Sequence, residues 1–321
     1  MLIHKFKVIL FKIRNRSFFV YLKVPLSSLN PDNIKNFFQH IAFPVLLIAC
    51  LINSTGCAFK FVSRHKNVTY LNADSSGKKD QHLNVFAPKK NKILKDVFIY
   101  IHGGNWNSGN KSLYSFLGSR LARKGIVAVI IDYPLSPAAD YNDMALATAK
   151  AVKWVKENID QYGGNPQRIF ISGHSAGGHL AALVSVRNNY FDSIGIKNPI
   201  KGTILIDAAG LDMYDYLLHA GLSPDDSYFK TFTNDPKQWK EASPIYFLHK
   251  DMPAMLIYRG GRTYPSIIES NEKFIVAIKQ FAPDTEYHIQ ENKKHVPMIF
   301  QYLNSYNDHY KEIISFMRRT K

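Results

Sequence analysis

RIFISGHSAGGHLAALVSV, residues 168–186, decides the fold. Residues 168–172 (RIFIS) read as a short buried strand, and residues 176–186 as a helix of small and apolar side chains. Between them stands Gly173-His174-Ser175-Ala176-Gly177, a G-x-S-x-G pattern. The pattern recurs by chance in many chains, and its setting gives it weight. A strand before it and a helix after it hold the serine on a tight, strained turn with Oγ exposed. Glycines flank the serine because a Cβ there would collide with the neighbouring strand and helix.

Outward from this turn, short β-rich runs alternate with helical patterns, as in a mostly parallel sheet built with crossover helices. The spacing predicts strands over 67–71, 82–86, 97–101 (VFIYI), 126–133 (IVAVIIDY), 203–207 (TILID), 254–258 (AMLIY) and 286–290. Helices are predicted over 111–124, closed by Gly125, and over 143–162, where Thr148, Val152, Val155 and Ile159 form one apolar stripe ended by Gly163-Gly164. Two more follow over 266–281 and 310–317. Prolines and aromatics break the rhythm over 211–251, which reads as a cap-like insertion. There is no internal repeat and no low-complexity tract.

With 321 residues and 46% hydrophobic content, the chain has enough apolar material for one large core and does not have a fibrous or disordered composition. Its formal net charge is +16, and up to Gly56 seven lysines and arginines stand against the single acid Asp32. Such a surface attracts polyanions non-specifically. Stacking aromatics among basic clusters, zinc-finger spacing and a helix-turn-helix pattern are all missing, so no nucleic-acid partner is expected and the charge reads as a solvated surface. The two cysteines, Cys50 and Cys57, lie near the N-terminal edge, leaving the body without a disulfide or thiolate metal site.

Residues 1–57 read as a leader and 58–321 as the catalytic domain. The run at 41–52 (IAFPVLLIACLI) is apolar over twelve residues, too short to cross a bilayer of about 30 Å as a helix. Basic residues precede it, and Asn53, Ser54, Thr55 and Gly56 follow it before Cys57. This resembles a bacterial lipoprotein signal, which implies export to the periplasm and membrane attachment through a lipidated Cys57. Ser54 departs from the leucine usual three positions before the cysteine. An uncleaved anchor and cleavage at another small residue remain the alternatives.

A serine hydroxyl needs a base within hydrogen-bond reach and donors for the oxyanion that forms on attack. His102-Gly103-Gly104-Asn105-Trp106 follows the strand at 97–101, where the Gly103 and Gly104 N–H groups, joined by that of Ala176, supply an oxyanion hole. In this setting the histidine comes last in the chain. His295, just beyond the strand at 286–290, takes the part of base. His309 lies nearer the last helix, and His174 and His179 flank the serine as packing or pocket residues. Trp106, Tyr133, Tyr214, Tyr216, Tyr228 and Phe229 either shape the substrate pocket or pack the core and cap.

Residues 97–300 resemble the hormone-sensitive-lipase-like carboxylesterases and the related kynurenine formamidase and feruloyl esterase group. HGGNW, IIDYPLSP, NIDQYGGNPQRI and GHSAGGHLAAL carry the resemblance. It implies an α/β-hydrolase fold, with a mostly parallel central sheet flanked by helices and a small cap. It also implies Ser175 as nucleophile, His295 as base, Gly103, Gly104 and Ala176 as oxyanion hole, no metal or organic cofactor, and a small-molecule or carbohydrate ester as substrate. A formamidase-type amidase would use the same groups. The departure lies in Gly260-Gly261-Arg262-Thr263-Tyr264-Pro265, where Thr263 occupies the family's usual aspartate position. Asp207, ending the strand at 203–207, is the first candidate for a displaced acid, with Asp212 and Glu269 behind it. Without any acid the chain would be a weak hydrolase or a binding protein.

Overall fold

In the computed structural model the chain divides into two units, 1–60 and 61–321. The structure describes residues 62–73, 79–89 and 93–320, together with a hairpin in the first unit, β1 (Val8–Ile13) and β2 (Arg16–Tyr21). These two strands pair antiparallel, Val8 opposite Tyr21 and Ile13 opposite Arg16. The apolar run at 41–52 and Cys57 lie outside the described residues. Among those described, no helix is long and apolar enough to cross a membrane.

The second unit is built on one eight-stranded sheet: β3 (Val62–Leu71), β4 (Gln81–Pro88), β5 (Lys95–Ile101), β6 (Val127–Ile131), β7 (Gly164–His174), β8 (Ile200–Ile206), β9 (Ala254–Gly260) and β10 (Glu286–Gln290). Their spatial order is β10-β9-β8-β7-β5-β6-β4-β3. Neighbours run parallel except where β4 meets β3 and β6. This is the α/β-hydrolase arrangement that the sequence led us to expect.

Apolar runs without alternation belong to strands covered on both faces, since successive side chains point to opposite sides. Val97, Ile99 and Ile101 of β5 enter one core, with Val127, Val129, Ile131, Ile169 and Ile171. Phe98 and Tyr100 enter the other, with Ala128, Ile130, Phe170 and Ile204. Helices α1 (Ser115–Arg123), α2 (Tyr141–Asn158) and α3 (Ala176–Val186) flank the sheet. The first core takes Val152 and Val155 of α2 and Leu180 and Leu183 of α3, whereas the second takes Leu117 and Leu121 of α1.

Element ends follow local chemistry. Helix α2 starts two residues earlier than expected because Asp140 accepts a hydrogen bond from the Asp143 N–H at 2.8 Å and caps the turn before it. It closes through a tighter turn, Ile159–Tyr162, at Gly163, whose φ is 81°. Over 211–251 the break in rhythm corresponds to three short helices between β8 and β9: α4 (Met213–His219), α5 (Ser227–Phe232) and α6 (Pro236–Glu241). Then come α7 (Pro265–Ile278), α8 (His295–Phe300) and α9 (His309–Arg319).

Arg168, opening the buried part of β7, ties α9 to the sheet. Its guanidinium grips Asp96 of β5 through Nε at 2.7 Å and Nη2 at 3.1 Å, and Nη1 donates to the Thr320 carbonyl at 2.8 Å. A planar fork matched to a carboxylate is among the stronger side-chain contacts, and removing it strands the half-buried Asp96. Arg168→Leu is expected to lower unfolding free energy by about 2–3 kcal/mol. Urea denaturation measures this, while turnover per folded molecule should be unchanged.

Candidate active site

Ser175 sits between β7 and α3 with φ 56° and ψ −123°, a sparsely populated conformation for a residue with a side chain. Its N–H donates to the Ile206 carbonyl at 3.3 Å, and its own carbonyl accepts from His179 N at 3.0 Å and Ala209 N at 3.2 Å. The turn closes only because the flanking residues lack side chains. A Cβ on Gly173 would stand 2.1 Å from the Gly177 carbonyl oxygen, and one on Gly177 would stand 2.2 Å from the Ile101 oxygen.

The hydroxyl meets His295, the first residue of α8: Ser175 Oγ donates to His295 Nε2 at 2.9 Å. On the far side of the ring, Nδ1–H donates to Asp207 Oδ2 at 2.6 Å. Asp207 is fully buried and stands one residue past β8 with φ 48°, in the left-handed region that aspartate enters more readily than most residues. Its other oxygen, Oδ1, accepts from Gly260 N at 2.8 Å.

Thr263 also serves the carboxylate: its hydroxyl donates to Asp207 Oδ2 at 2.5 Å and lies 3.4 Å from His295 Nδ1. Thr263 thus holds the carboxylate that the His295 ring also meets. Gly260 and Gly261 let this segment approach the chain before His295, for their Cβ atoms would stand 2.6 Å from the Lys293 oxygen and 2.3 Å from the Glu291 oxygen. Gly261 N donates to the Gln290 carbonyl at 2.8 Å and Arg262 N to that of Lys293 at 2.9 Å.

The other two carboxylates considered have different partners. Asp212 caps α4, accepting from Asp215 N at 3.1 Å and from the Tyr246 hydroxyl at 3.2 Å, and burial raises its pKa. Glu269 is an exposed residue of α7 that pairs with Lys273 at 2.8 Å. The two ring nitrogens of His295 meet Ser175 and Asp207 instead. His309 pairs with Glu312 at 2.8 Å near the start of α9.

Gly103 borders the serine: a Cβ on it would be 3.1 Å from Ser175 Cβ. The Gly103 carbonyl accepts from His102 Nδ1 at 2.8 Å, and that of Gly104 accepts from Ser108 N at 2.9 Å and Ser108 Oγ at 2.8 Å. With these carbonyls held within the loop, a trans peptide sends the Gly104 N–H the opposite way. The Gly103 N–H faces the Tyr114 hydroxyl, and among the described residues those of Gly104 and Ala176 have no backbone acceptor outside their own elements. Asn105 and Trp106 carry the turn onward with φ of 50° and 58°. Trp106 Nε1 donates to His179 Nδ1 at 3.1 Å, and His179 Nε2–H donates to the Ala242 carbonyl at 2.6 Å, linking this loop through α3 to the end of the insertion.

His174, Asp207 and His295 place potential metal-ligand atoms within 4.8 Å of one another. Hydrogen bonds already account for these atoms: Asp207 is bonded at both oxygens, His295 at both ring nitrogens, and His174 Nε2 to the His295 carbonyl at 3.0 Å. The donor set fits proton transfer better than metal binding. An imidazole with a carboxylate behind it and a hydroxyl before it can take the hydroxyl proton and remain stabilised as a cation.

The BD-FAE family model matches residues 83–264, more than half of the chain. The chain belongs to the BD-FAE family. The BD-FAE match spans Gly103, Gly104, Ser175, Ala176 and Asp207, and ends one residue past Thr263, before His295. Among curated proteins this BD-FAE chain is similar to isoprenylcysteine alpha-carbonyl methylesterase of Arabidopsis thaliana, 26% identical over 68% of this chain and 54% of that protein. It is also similar to esterase LipQ of Mycobacterium tuberculosis, 31% identical over 52% of this chain and 41% of that one. The chain spans about half the length of the curated relatives it matches. Two solved structures share the fold. Esterase 2 of Thermogutta terrifontis has TM-score 0.66 and 22% identity over 79% of this chain and 94% of that one. Esterase B of Lactobacillus rhamnosis has TM-score 0.64 and 18% identity over 87% and 94%.

Burial lowers the pKa of His174 to about 3, helped by the adjacent His295, and burial lowers that of His179 to about 4. Unfolding returns both to the ordinary imidazole value of about 6.5, so between these values the unfolded chain binds more protons than the folded one. Their contribution to stability is complete above about pH 6.5 and declines as pH falls, by up to about 1.4 kcal/mol per pH unit for each histidine. The urea midpoint is expected to drop between pH 7 and about pH 4.5, with a shallower slope in His179→Gln. An unchanged slope in that variant would remove His179 from the account.

Proposed function

We propose that this protein is a carboxylic ester hydrolase working through an acyl-enzyme. The observation that carries the reading is the line from Ser175 Oγ to His295 Nε2 at 2.9 Å and from His295 Nδ1 to Asp207 Oδ2 at 2.6 Å. His295 takes the Ser175 proton as Oγ attacks the acyl carbon, and Asp207 stabilises the imidazolium. The oxyanion is received by the N–H groups of Gly103, Gly104 and Ala176, each worth about 3–4 kcal/mol in such sites. His295 then protonates the departing alkoxide, and a water activated by the same ring releases the acid and restores the hydroxyl.

The substrate class we favour is a small or carbohydrate ester. Relatives named as esterases, together with the family match, support ester over amide chemistry. A complete Ser-His-Asp line also weighs against a binding protein with a lapsed site. For the cell envelope of a bacterium we propose export and attachment through Cys57, supported by the apolar run at 41–52 and the small residues before the cysteine. Cys57→Ser should then move the protein from the membrane fraction to the soluble fraction, whereas equal partition of both forms would argue against the anchor.

A fluorophosphonate probe is expected to label the wild type and leave Ser175→Ala unlabelled, and short p-nitrophenyl esters should turn over faster than N-formylkynurenine. A wild type that neither labels nor hydrolyses esters would overturn the reading. Asp207→Asn should lower kcat by about 10⁴, as removing a triad carboxylate's charge does. Thr263→Val removes one of three hydrogen bonds to that carboxylate and should cost about tenfold in kcat. A threonine variant as damaged as the aspartate variant would reassign their roles.

A further inference from the structure

His174 precedes the serine, and the reaction above uses none of its atoms. Its side chain is buried, with Nε2 3.0 Å from the main-chain carbonyl oxygen of His295. Its ring lies against the His295 imidazole, 4.5 Å between centroids with an interplanar angle of 31°. The opposite edge borders the glycine loop, where a Cβ on Gly103 would stand 3.2 Å from His174 Nδ1. A carbonyl oxygen only accepts, so His174 Nε2 carries the proton. Burial keeps the ring neutral, with a pKa of about 3.

We propose that His174 is a positioning residue, a neutral Nε2–H donor that tethers the main chain of His295 and so sets the distance between base and serine. The inference deepens the hydrolase reading and rests on it. His295 needs such a tether because it opens a helix of only six residues and follows Glu291, Asn292 and Lys294, all exposed. Its ring is held at both nitrogens and the preceding main chain is pinned at Gln290 and Lys293, which leaves the backbone of residue 295 itself to be fixed. The His174 bond fixes that backbone from the residue next to the nucleophile, so a displacement of the serine turn carries the base with it. A misplacement near 1 Å at a reacting group costs about a hundredfold in rate, so even a partial loosening is measurable.

Two substitutions separate the tether from mere packing. His174→Gln keeps an N–H donor at about the reach of Nε2, and His174→Leu keeps comparable bulk without a donor. On short p-nitrophenyl esters the leucine variant is expected to lose about tenfold or more in kcat with KM within about twofold, while the glutamine variant stays within about threefold of wild type. Equal losses in both variants, or a loss confined to KM, would overturn the tether. Should the leucine variant not fold, nitrogen-15 NMR of histidine-labelled wild type reads the tautomer directly. A neutral Nε2–H form of His174 supports the tether, and an Nδ1–H form overturns it. A wild type inert to esters and fluorophosphonate would sink the hydrolase reading and the tether together. An active wild type matched by the leucine variant sinks the tether alone.

Discussion

A carboxylate without exposed surface is the constraint around which this site is organised. An isolated buried charge is prohibitive in a low-dielectric interior, so Asp207 must be met by donors from whatever chain surrounds it. It finds them in Gly260 N at the end of β9, in the Thr263 hydroxyl beyond that strand, and in the His295 ring opening α8. Three segments distant in sequence are therefore drawn to one point by the same negative charge. The close glycine contacts of residues 260 and 261, and the hydrogen bonds from the 260–262 segment to 290–293, follow from that convergence.

Much of this arrangement could be read in the sequence because it depends on local rules. The serine turn announces itself through glycines whose neighbours leave no room for a Cβ, and the fully apolar strands reveal a sheet buried on both faces. Asp207 drew notice as a carboxylate ending an apolar strand, a place with no solvent to pay for its charge. The role of Thr263 could not be read this way. Its hydroxyl matters only because residues 207 and 295 arrive beside it, and residue type alone says nothing of that meeting. The sequence reads His174 as a packing or pocket residue, since nothing nearby shows that its ring reaches a carbonyl 121 positions away. The stop of helix α2 at Gly163 is legible, whereas periodicity places its start two residues late, because a side-chain cap at Asp140 decides that boundary and periodicity is blind to it.

The insertion between β8 and β9 is joined to the site through aromatic contacts and one polar bridge. Trp106 packs edge-on against Phe232 at 5.0 Å and near Tyr228 at 5.9 Å between ring centroids. Its indole N–H reaches Ala242 by way of the His179 ring. The loop carrying Gly103 and Gly104 thus leans on the insertion, and a change of packing in α5 bears on the donors offered to an acyl oxygen. Tyr228 and Phe232 take part in this support, whereas Tyr264, with its ring 5.0 Å from that of His295, stands on the exposed rim beside the base.

One further consequence comes from the hydrogen bond between Ser175 N and the Ile206 carbonyl. That bond links the nucleophile to the residue immediately before the acid, across two adjacent strands. Hydroxyl and carboxylate are consequently spaced by the sheet itself, like two fixed posts of one frame. The imidazole between them comes from the far end of the chain and reaches this frame through the 291–294 segment. Changes in length or sequence over 291–294 therefore bear on turnover through the base, while the spacing of hydroxyl and carboxylate stays with the sheet.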